Sequence, residues 1–203
     1  MNCLELFSGT HSVGKVCKEL GWNVISVDNE LPATHQEDIM TFDYKQYPQD
    51  KFDIVWASPP CNSFSKMLFM HKHIDQAKKI REEGLPLLDK TLEIIDFLQP
   101  DYFFIENPRG KLRKLKFMQP LPRATVTYCQ YGDTRMKPTD IWTNHLDSPL
   151  FSNGWKPRPI CKNGDSCHVS APRGSQTGTQ GLKGNYLRSQ VPYELCKEIL
   201  LSL

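Results

Sequence analysis

An α/β protein with a doubly wound, mostly parallel sheet is predicted by three observations. Short apolar runs of strand length alternate with segments of helical period through the first two thirds of the 203-residue chain. Such alternation pairs strands in parallel through right-handed crossovers. Polar or turn-forming groups, Ser8-Gly9, Asp28-Asn29, Pro59-Pro60 and Glu106-Asn107-Pro108, close successive runs, at the sheet edge where open α/β folds bind ligands.

The elements follow in order. Residues 3–7 form an apolar run before Ser8-Gly9, a strand and its turn. Residues 12–20 carry Val13, Val16, Cys17 and Leu20 at helical spacing and stop at Gly21. A second strand over 23–27 ends in Asp28-Asn29-Glu30, and a shorter element surrounds Glu37-Asp38-Ile39-Met40. Residues 52–57 read as a buried strand ended by two prolines. Residues 64–81 are polar and basic, loop plus helix, and 85–98 are helical with Leu87, Leu88, Leu92, Ile95 and Leu98 on one face. Strands follow over 102–105, 124–129 and 141–143, and a closing helix over 192–203 has proline in its first turn. Residues 145–184 break the rhythm and read as a loop-dominated insert.

Composition narrows the function. Apolar residues are 39% and charged residues 24%, as in a globular protein with an adequate core. The net charge of +2 means that nucleic acid must be held by local basic clusters. No apolar run approaches the ~20 residues of a membrane helix, and the amino terminus enters a strand pattern without a secretion signal. The expectation is a monomer with no membrane association, in the cytoplasm of a bacterium or a virus-infected host cell. Seven cysteines without a CxxC pair fit free thiols in a reducing compartment.

Cys61 follows Pro59-Pro60 at the carboxyl end of a strand, which makes its thiol a candidate nucleophile. The first loop has two readings. Gly9 to Gly14-Lys15 fits the phosphate-loop spacing GxxxxGK, but Val16 stands where magnesium needs Ser or Thr. The alternative is a glycine turn that brings backbone close to a nucleoside cofactor at a helix amino terminus. Asp28, about 20 residues on, is placed to bind ribose hydroxyls, and Asp38 to accept from an adenine amine.

With Phe7-Ser8-Gly9, Asp28, Asp38, Pro60-Cys61, Glu106-Asn107 and Tyr131-Gly132 in this order, the chain resembles the DNA (cytosine-5) methyltransferases over about residues 2–144 and the last twenty or so. The resemblance implies the class I, Rossmann-like fold of S-adenosylmethionine-dependent methyltransferases. It implies S-adenosylmethionine as cofactor, held by Phe7, Ser8, Gly9, Thr10, Asp28, Asn29, Asp38, Ile39, Ser58 and Pro60. Cys61 would add to carbon 6 of cytosine so that carbon 5 attacks the methyl group. Glu106 would hold a proton at ring nitrogen 3, and Asn107 would orient the loop. DNA is the implied partner, RNA being an open alternative, and the target base must be flipped out of a duplex. Phosphate contacts are expected from Ser63, Ser65 and Lys66 in a closing lid, and from Arg109, Lys111, Arg113 and Lys137.

The chain departs from the family pattern at several points. Pro108 replaces the usual Val, and Arg135-Met-Lys137-Pro-Thr139 lacks the arginine that contacts the base and the glutamate. Arg135, Lys137 or a residue elsewhere takes that role. A division follows: 1–144 catalytic and cofactor-binding, 145–184 a reduced recognition insert, 185–203 a closing helix. The short insert suits a phage or virus. Cys161, Cys167 and His168 have unfamiliar zinc spacing and no fourth ligand in view, so they read as ordinary loop residues and no metal is expected. A non-catalytic DNA-binding relative, a phosphate-loop nucleotidase and an amino-methyltransferase are the alternatives.

Overall fold

The computed structural model describes residues 1–64, 74–147, 153–170, 182 and 184–203. Its elements are β1 (Asn2–Leu6), α1 (Ser12–Glu19), β2 (Asn23–Val27), β3 (Ile54–Ala57), α2 (Ile74–Leu98), β4 (Tyr102–Pro108), β5 (Arg123–Thr127), β6 (Pro138–Thr143), α3 (Asn185–Ser189) and α4 (Tyr193–Leu201). Among the described residues, no helix is long and apolar enough to cross a membrane.

Six strands form one sheet in the order β2-β1-β3-β4-β6-β5. The pairs β1–β2, β1–β3 and β3–β4 are parallel. β6 is antiparallel to both β4 and β5, so the sheet is mixed at one end. The physical reason is length: the turn Tyr128–Tyr131, reversed at Gly132 with φ 84°, connects β5 to β6 without room for a crossover helix.

Successive side chains of a strand face opposite sides, and the core divides accordingly. Cys3, Ile54, Trp56 and Phe104 pack under Val13, Val16 and Cys17 of α1 and Leu195, Cys196 and Ile199 of α4. Leu4, Leu6, Val55 and Ala57 pack under Ile94 and Leu98 of α2. Ile105 and Trp142 extend that second layer with Leu88. The sheet is therefore covered on both faces, as doubly wound folds require.

Two expectations change in detail. The segment around Glu37–Met40 is turns, held by the Asp38 carbonyl accepting from the Thr41 and Phe42 amides. The helix expected from residue 85 begins at Ile74 and carries Pro86 inside it. The helix runs through Gly84 and Pro86 without a break.

One charged cluster turns inward. Asp140 of β6 is fully buried; Arg113 donates to both of its carboxylate oxygens, from Nε at 2.8 Å and from Nη2 at closer range, and Thr125 Oγ1 donates to Oδ1 at 2.8 Å. This corrects the expectation that Arg113 contacts phosphate, because its guanidinium is engaged by a buried carboxylate. Removing one partner of such a pair strands the other charge in the core. Arg113→Ala is expected to lower unfolding free energy by about 3 kcal/mol, against under about 0.5 kcal/mol for the exposed neighbour Lys114→Ala, both measured by urea denaturation.

Candidate active site

The site is assembled at the carboxyl edge of β1, β3 and β4. After β1 the chain turns through Phe7 (φ 56°), Gly9 (φ 46°) and His11 (φ 55°). Positive φ at a bulky residue such as Phe7 is uncommon and marks a backbone held by its surroundings. The holding bonds are Ser8 N to Val27 O at 3.0 Å and Gly9 N to Asp28 Oδ2 at 2.8 Å. Asp28 Oδ1 also accepts from the Glu30 and Leu31 amides. Asp28 thus shapes both loops that flank the edge, and Thr10 Oγ1 lies 2.8 Å from Ser12 Oγ at the start of α1.

The amino terminus of α1 is occupied from within. Glu5 of β1 is buried and accepts from the Val13 amide at 3.1 Å. His11 Nδ1 lies 3.6 Å from its other oxygen, and the nearby Glu5 carboxylate raises the imidazole pKa. A carboxylate already neutralises the helix dipole, and a phosphate placed there would meet like charge. The phosphate-loop reading of Gly9 to Lys15 is physically disfavoured by this arrangement.

Beside the β1 loop, Phe7, Val27, Asp28, Asn29, Asp38, Ile39 and Pro60 line one cleft, with Glu37 and Leu87 at its wall. Apolar and aromatic walls suit a stacked purine, and the carboxylates suit sugar hydroxyls, an exocyclic amine and a cationic group. The cleft combines these apolar walls with three carboxylates, Asp28, Glu37 and Asp38. Ser8 and Thr10 are buried below the loop, and the Ser8 hydroxyl is not hydrogen-bonded in this structure.

Cys61 opens a short 3-10 turn, Cys61–Phe64, and is exposed. The two prolines preceding it are anchored from β4. Asn107 is fully buried and its amide nitrogen donates to the Pro59 carbonyl at 2.8 Å. Upstream, Ser58 N donates to Leu6 O at 3.2 Å and Trp56 Nε1 to Ser58 Oγ at 3.2 Å. Two glycines clamp the far side of the turn. A Cβ on Gly84 of α2 would sit 2.2 Å from the Ser63 Cβ, and one on Gly110 would sit 2.4 Å from the Phe64 carbonyl oxygen. Neither glycine was a candidate from sequence, since each has meaning only against the partner it touches.

Glu106 is buried, and the Tyr128 hydroxyl donates to its Oε1 at 2.8 Å. Burial and the Glu106 carboxylate push the Tyr128 phenol well above its ordinary pKa, so it remains a donor. Lys137 Nζ lies 4.5 Å from the Tyr128 ring centroid and donates to the Arg188 carbonyl at 3.1 Å. Burial lowers the Lys137 pKa, while Glu106 and Cys61 raise it. Crowding by the surrounding protein pushes the Cys61 thiol up; Lys137 draws it down, Glu106 pushes it up and Arg188 draws it down. Cys61, Glu106, Lys137 and Arg188 therefore form one electrostatic group.

Of the alternatives left open for the missing arginine, Lys137 and Arg188 face the thiol electrostatically. Arg135 is buried and paired with Asp133, and it donates to the Arg188 carbonyl at 3.1 Å. Its placement corrects the expectation of a catalytic role: it secures the closing segment. Arg188 was not a candidate from sequence, where it lies in an unremarkable stretch of the carboxyl-terminal region.

The expected phosphate contacts divide. Arg109 is exposed at the end of β4, and Lys111 is half-buried with its amide bonded to Phe64 O at 2.8 Å. Ser63 is buried against Gly84, a correction to its expected contact with phosphate. Ser65 and Lys66, and with them most of the proposed lid, lie outside the described residues.

A Rossmann-like sheet with a cleft beside an exposed thiol at its carboxyl edge has the fold of the S-adenosylmethionine-dependent methyltransferases. Comparison with known proteins narrows this. Residues 23–117 match the family model of C-5 cytosine-specific DNA methylase. The chain is 35% identical over 227 residues to a protein of Frog virus 3 (isolate Goorha) named "Probable DNA (cytosine-5)-methyltransferase", with 98% of this chain and 99% of that one covered. Among solved structures, a "putative DNA modification methyltransferase encoded within prophage" from E. coli superimposes with TM-score 0.53 at 18% identity over 79% of this chain. The Entamoeba histolytica methyltransferase EhMeth does so with TM-score 0.51 at 14% identity over 70%. This chain covers 52% of each of those two structures. The chain belongs to the DNA (cytosine-5)-methyltransferase family.

The charges around Cys61 set the pH at which its thiolate forms, and alkylation follows the thiolate. The iodoacetamide labelling rate at Cys61, read by peptide mass spectrometry against pH, is expected to have its midpoint above that of a free cysteine. Lys137→Met is expected to move the midpoint to higher pH by removing a cation, and Glu106→Gln to lower pH by removing an anion. A midpoint unmoved in both variants would show that neither group faces the thiol.

Proposed function

We propose that this chain transfers a methyl group from S-adenosylmethionine to carbon 5 of cytosine in DNA, through a covalent Cys61 adduct. The observation that carries the proposal is the pairing of an exposed Cys61 with buried Glu106, on a turn tied by Asn107 to the Pro59 carbonyl.

Each side chain has a task in this scheme. The Cys61 thiolate adds to carbon 6 of the pyrimidine, which makes carbon 5 an enamine-like nucleophile. Glu106, with one oxygen held by Tyr128, holds a proton at ring nitrogen 3, where electron density collects, and accepts from the 4-amino group. Lys137 and Arg188 stabilise the thiolate electrostatically. Bound S-adenosylmethionine supplies the electrophilic methyl group. Phe7, Asp28, Asn29, Asp38, Ile39 and Pro60 would hold it in the cleft they line, with Ser8, Gly9, Thr10 and Ser58 shaping the loops behind them. Loss of the carbon 5 proton then expels the Cys61 sulfur from carbon 6 and restores the thiolate.

A base in a duplex must leave the stack to meet Cys61. Arg109, exposed just beyond Glu106-Asn107, would hold the flanking backbone. Residues 145–184 act in this reading as a reduced recognition insert, and a DNA substrate is in keeping with the names of the relatives.

Transfer of tritium from labelled S-adenosylmethionine into cytosine-containing DNA tests the reaction, with transfer RNA as the competing substrate. DNA is expected to be labelled, and Cys61→Ser to reduce transfer to background while cofactor affinity stays near that of the native chain. A duplex carrying 5-fluorocytosine is expected to trap a complex that survives denaturing electrophoresis. Undiminished turnover in Cys61→Ser would remove the mechanism.

A further inference from the structure

The insert that reads as loop in sequence is gathered to one point. Cys161 and Cys167-His168 lie on a segment without helix or strand, and the turn between them is closed by Lys162 N to Asp165 Oδ2 at 2.6 Å and by Gly164 at φ 98°. This turn brings the three side chains back onto Cys129, which leaves the sheet just after β5 in the turn Tyr128–Tyr131. The four ligand atoms all lie within 4.8 Å of one another. Cys129 Sγ is 3.1 Å from Cys161 Sγ and 3.6 Å from Cys167 Sγ. His168 Nδ1 is 3.7 Å from Cys161 Sγ and 3.5 Å from Cys167 Sγ.

We propose that Cys129, Cys161, Cys167 and His168 form a structural zinc site that fastens the loop-rich insert to the catalytic sheet. Tetrahedral zinc with bonds of about 2.3 Å to sulfur and about 2.0 Å to nitrogen separates its ligands by roughly 3.5–3.8 Å. Three of the four distances above are of that size, and the Cys129–Cys161 separation of 3.1 Å would widen to about 3.8 Å around the metal. Three thiols and one imidazole are a soft, closed donor set with no place for water, the composition of structural rather than catalytic zinc. The Gln130 side-chain amide points at the Cys167 sulfur, 3.4 Å away, as donors around metal thiolates do. The Cys161 amide donates to Thr127 Oγ1 at 3.1 Å, which ties the ligand to the end of β5. The fourth group, not in view in the sequence, is Cys129, which lies 32 residues before Cys161.

The site has a consequence for the reaction centre. Cys129 is the neighbour of Tyr128, whose hydroxyl holds Glu106. A metal at Cys129 fixes one end of that turn, while Arg158 bonds to the Gln130 carbonyl at 2.7 Å and to Glu198 of α4 at 2.6 Å. A segment with so little regular structure of its own gains its fold from such a clip.

The test is metal analysis of the full chain produced in zinc-supplemented medium and purified with reductant and without chelator. About one zinc ion per chain is expected, and cobalt(II) exchanged into the site should show the intense visible bands of tetrahedral thiolate coordination. Cys167→Ser and His168→Ala change side chains outside the core, and each is expected to lose most of the metal while the far-ultraviolet circular dichroism is kept. Cys61→Ser is expected to keep all of it. Removal of zinc by a chelator should expose the 153–170 segment to limited proteolysis. The proposal is overturned by a chain that carries no zinc and gives no tetrahedral cobalt spectrum, or by an intact mass short of two hydrogens that maps to a Cys129–Cys161 disulfide.

Discussion

A single buried hydrogen bond, from the Asn107 amide to the Pro59 carbonyl, organises the reactive edge of this protein. Proline at two consecutive positions removes backbone donors and stiffens the chain, so the turn before Cys61 needs an outside partner. The register of the sheet provides it. Ala57 at the end of β3 pairs with Ile105, and Asn107 lies two residues further along β4. The same strand alternation that aims Asn107 at this turn aims Glu106 at the opposite face, toward Tyr128. Two adjacent residues thus serve two purposes, one positioning the thiol and one presenting an acid.

The electrostatics depend on the same geometry. Crowding and Glu106 both disfavour the Cys61 thiolate, while Lys137 and Arg188 favour it. These charges come from a strand end, the β5–β6 connection and the carboxyl-terminal region. The last of these is held by Arg135 and Lys137, which donate to the same Arg188 carbonyl, and by Val191 N, which donates to Ser12 Oγ of α1. The closing segment therefore joins the start of α1 to the thiol's charged surroundings, although α1 and Cys61 lie far from it in sequence.

Compactness is achieved by close backbone approach and by irregular structure tied at its ends. Gly84 and Gly110 let α2 and the segment after β4 press directly on the Cys61 turn. Asp28 holds two loops with three backbone bonds, and Glu5 fills the amino terminus of α1 that a phosphate would otherwise claim. The chain covers 52% of each of the two solved neighbours, and its insert is attached by polar bonds such as those of Arg158 to the Gln130 carbonyl and to Glu198.

Apolar periodicity and turn chemistry are local properties, and they alone made most of the strands, the helices at 12–20 and 192–203 and the position of Cys61 at a strand end legible. The ordered motifs Phe7-Ser8-Gly9, Pro60-Cys61 and Glu106-Asn107 were legible for the same reason, since each is a short run of adjacent residues. Tertiary structure decided what depends on contacts between distant segments. It set β6 antiparallel between β4 and β5 and turned Arg113 and Ser63 inward. It also gave Arg135 to Asp133 while bringing Lys137 and Arg188 to the thiol, and it delivered Cys129 to Cys161, Cys167 and His168. A basic residue reads the same in sequence whether it meets water or a buried carboxylate, and only packing separates the two.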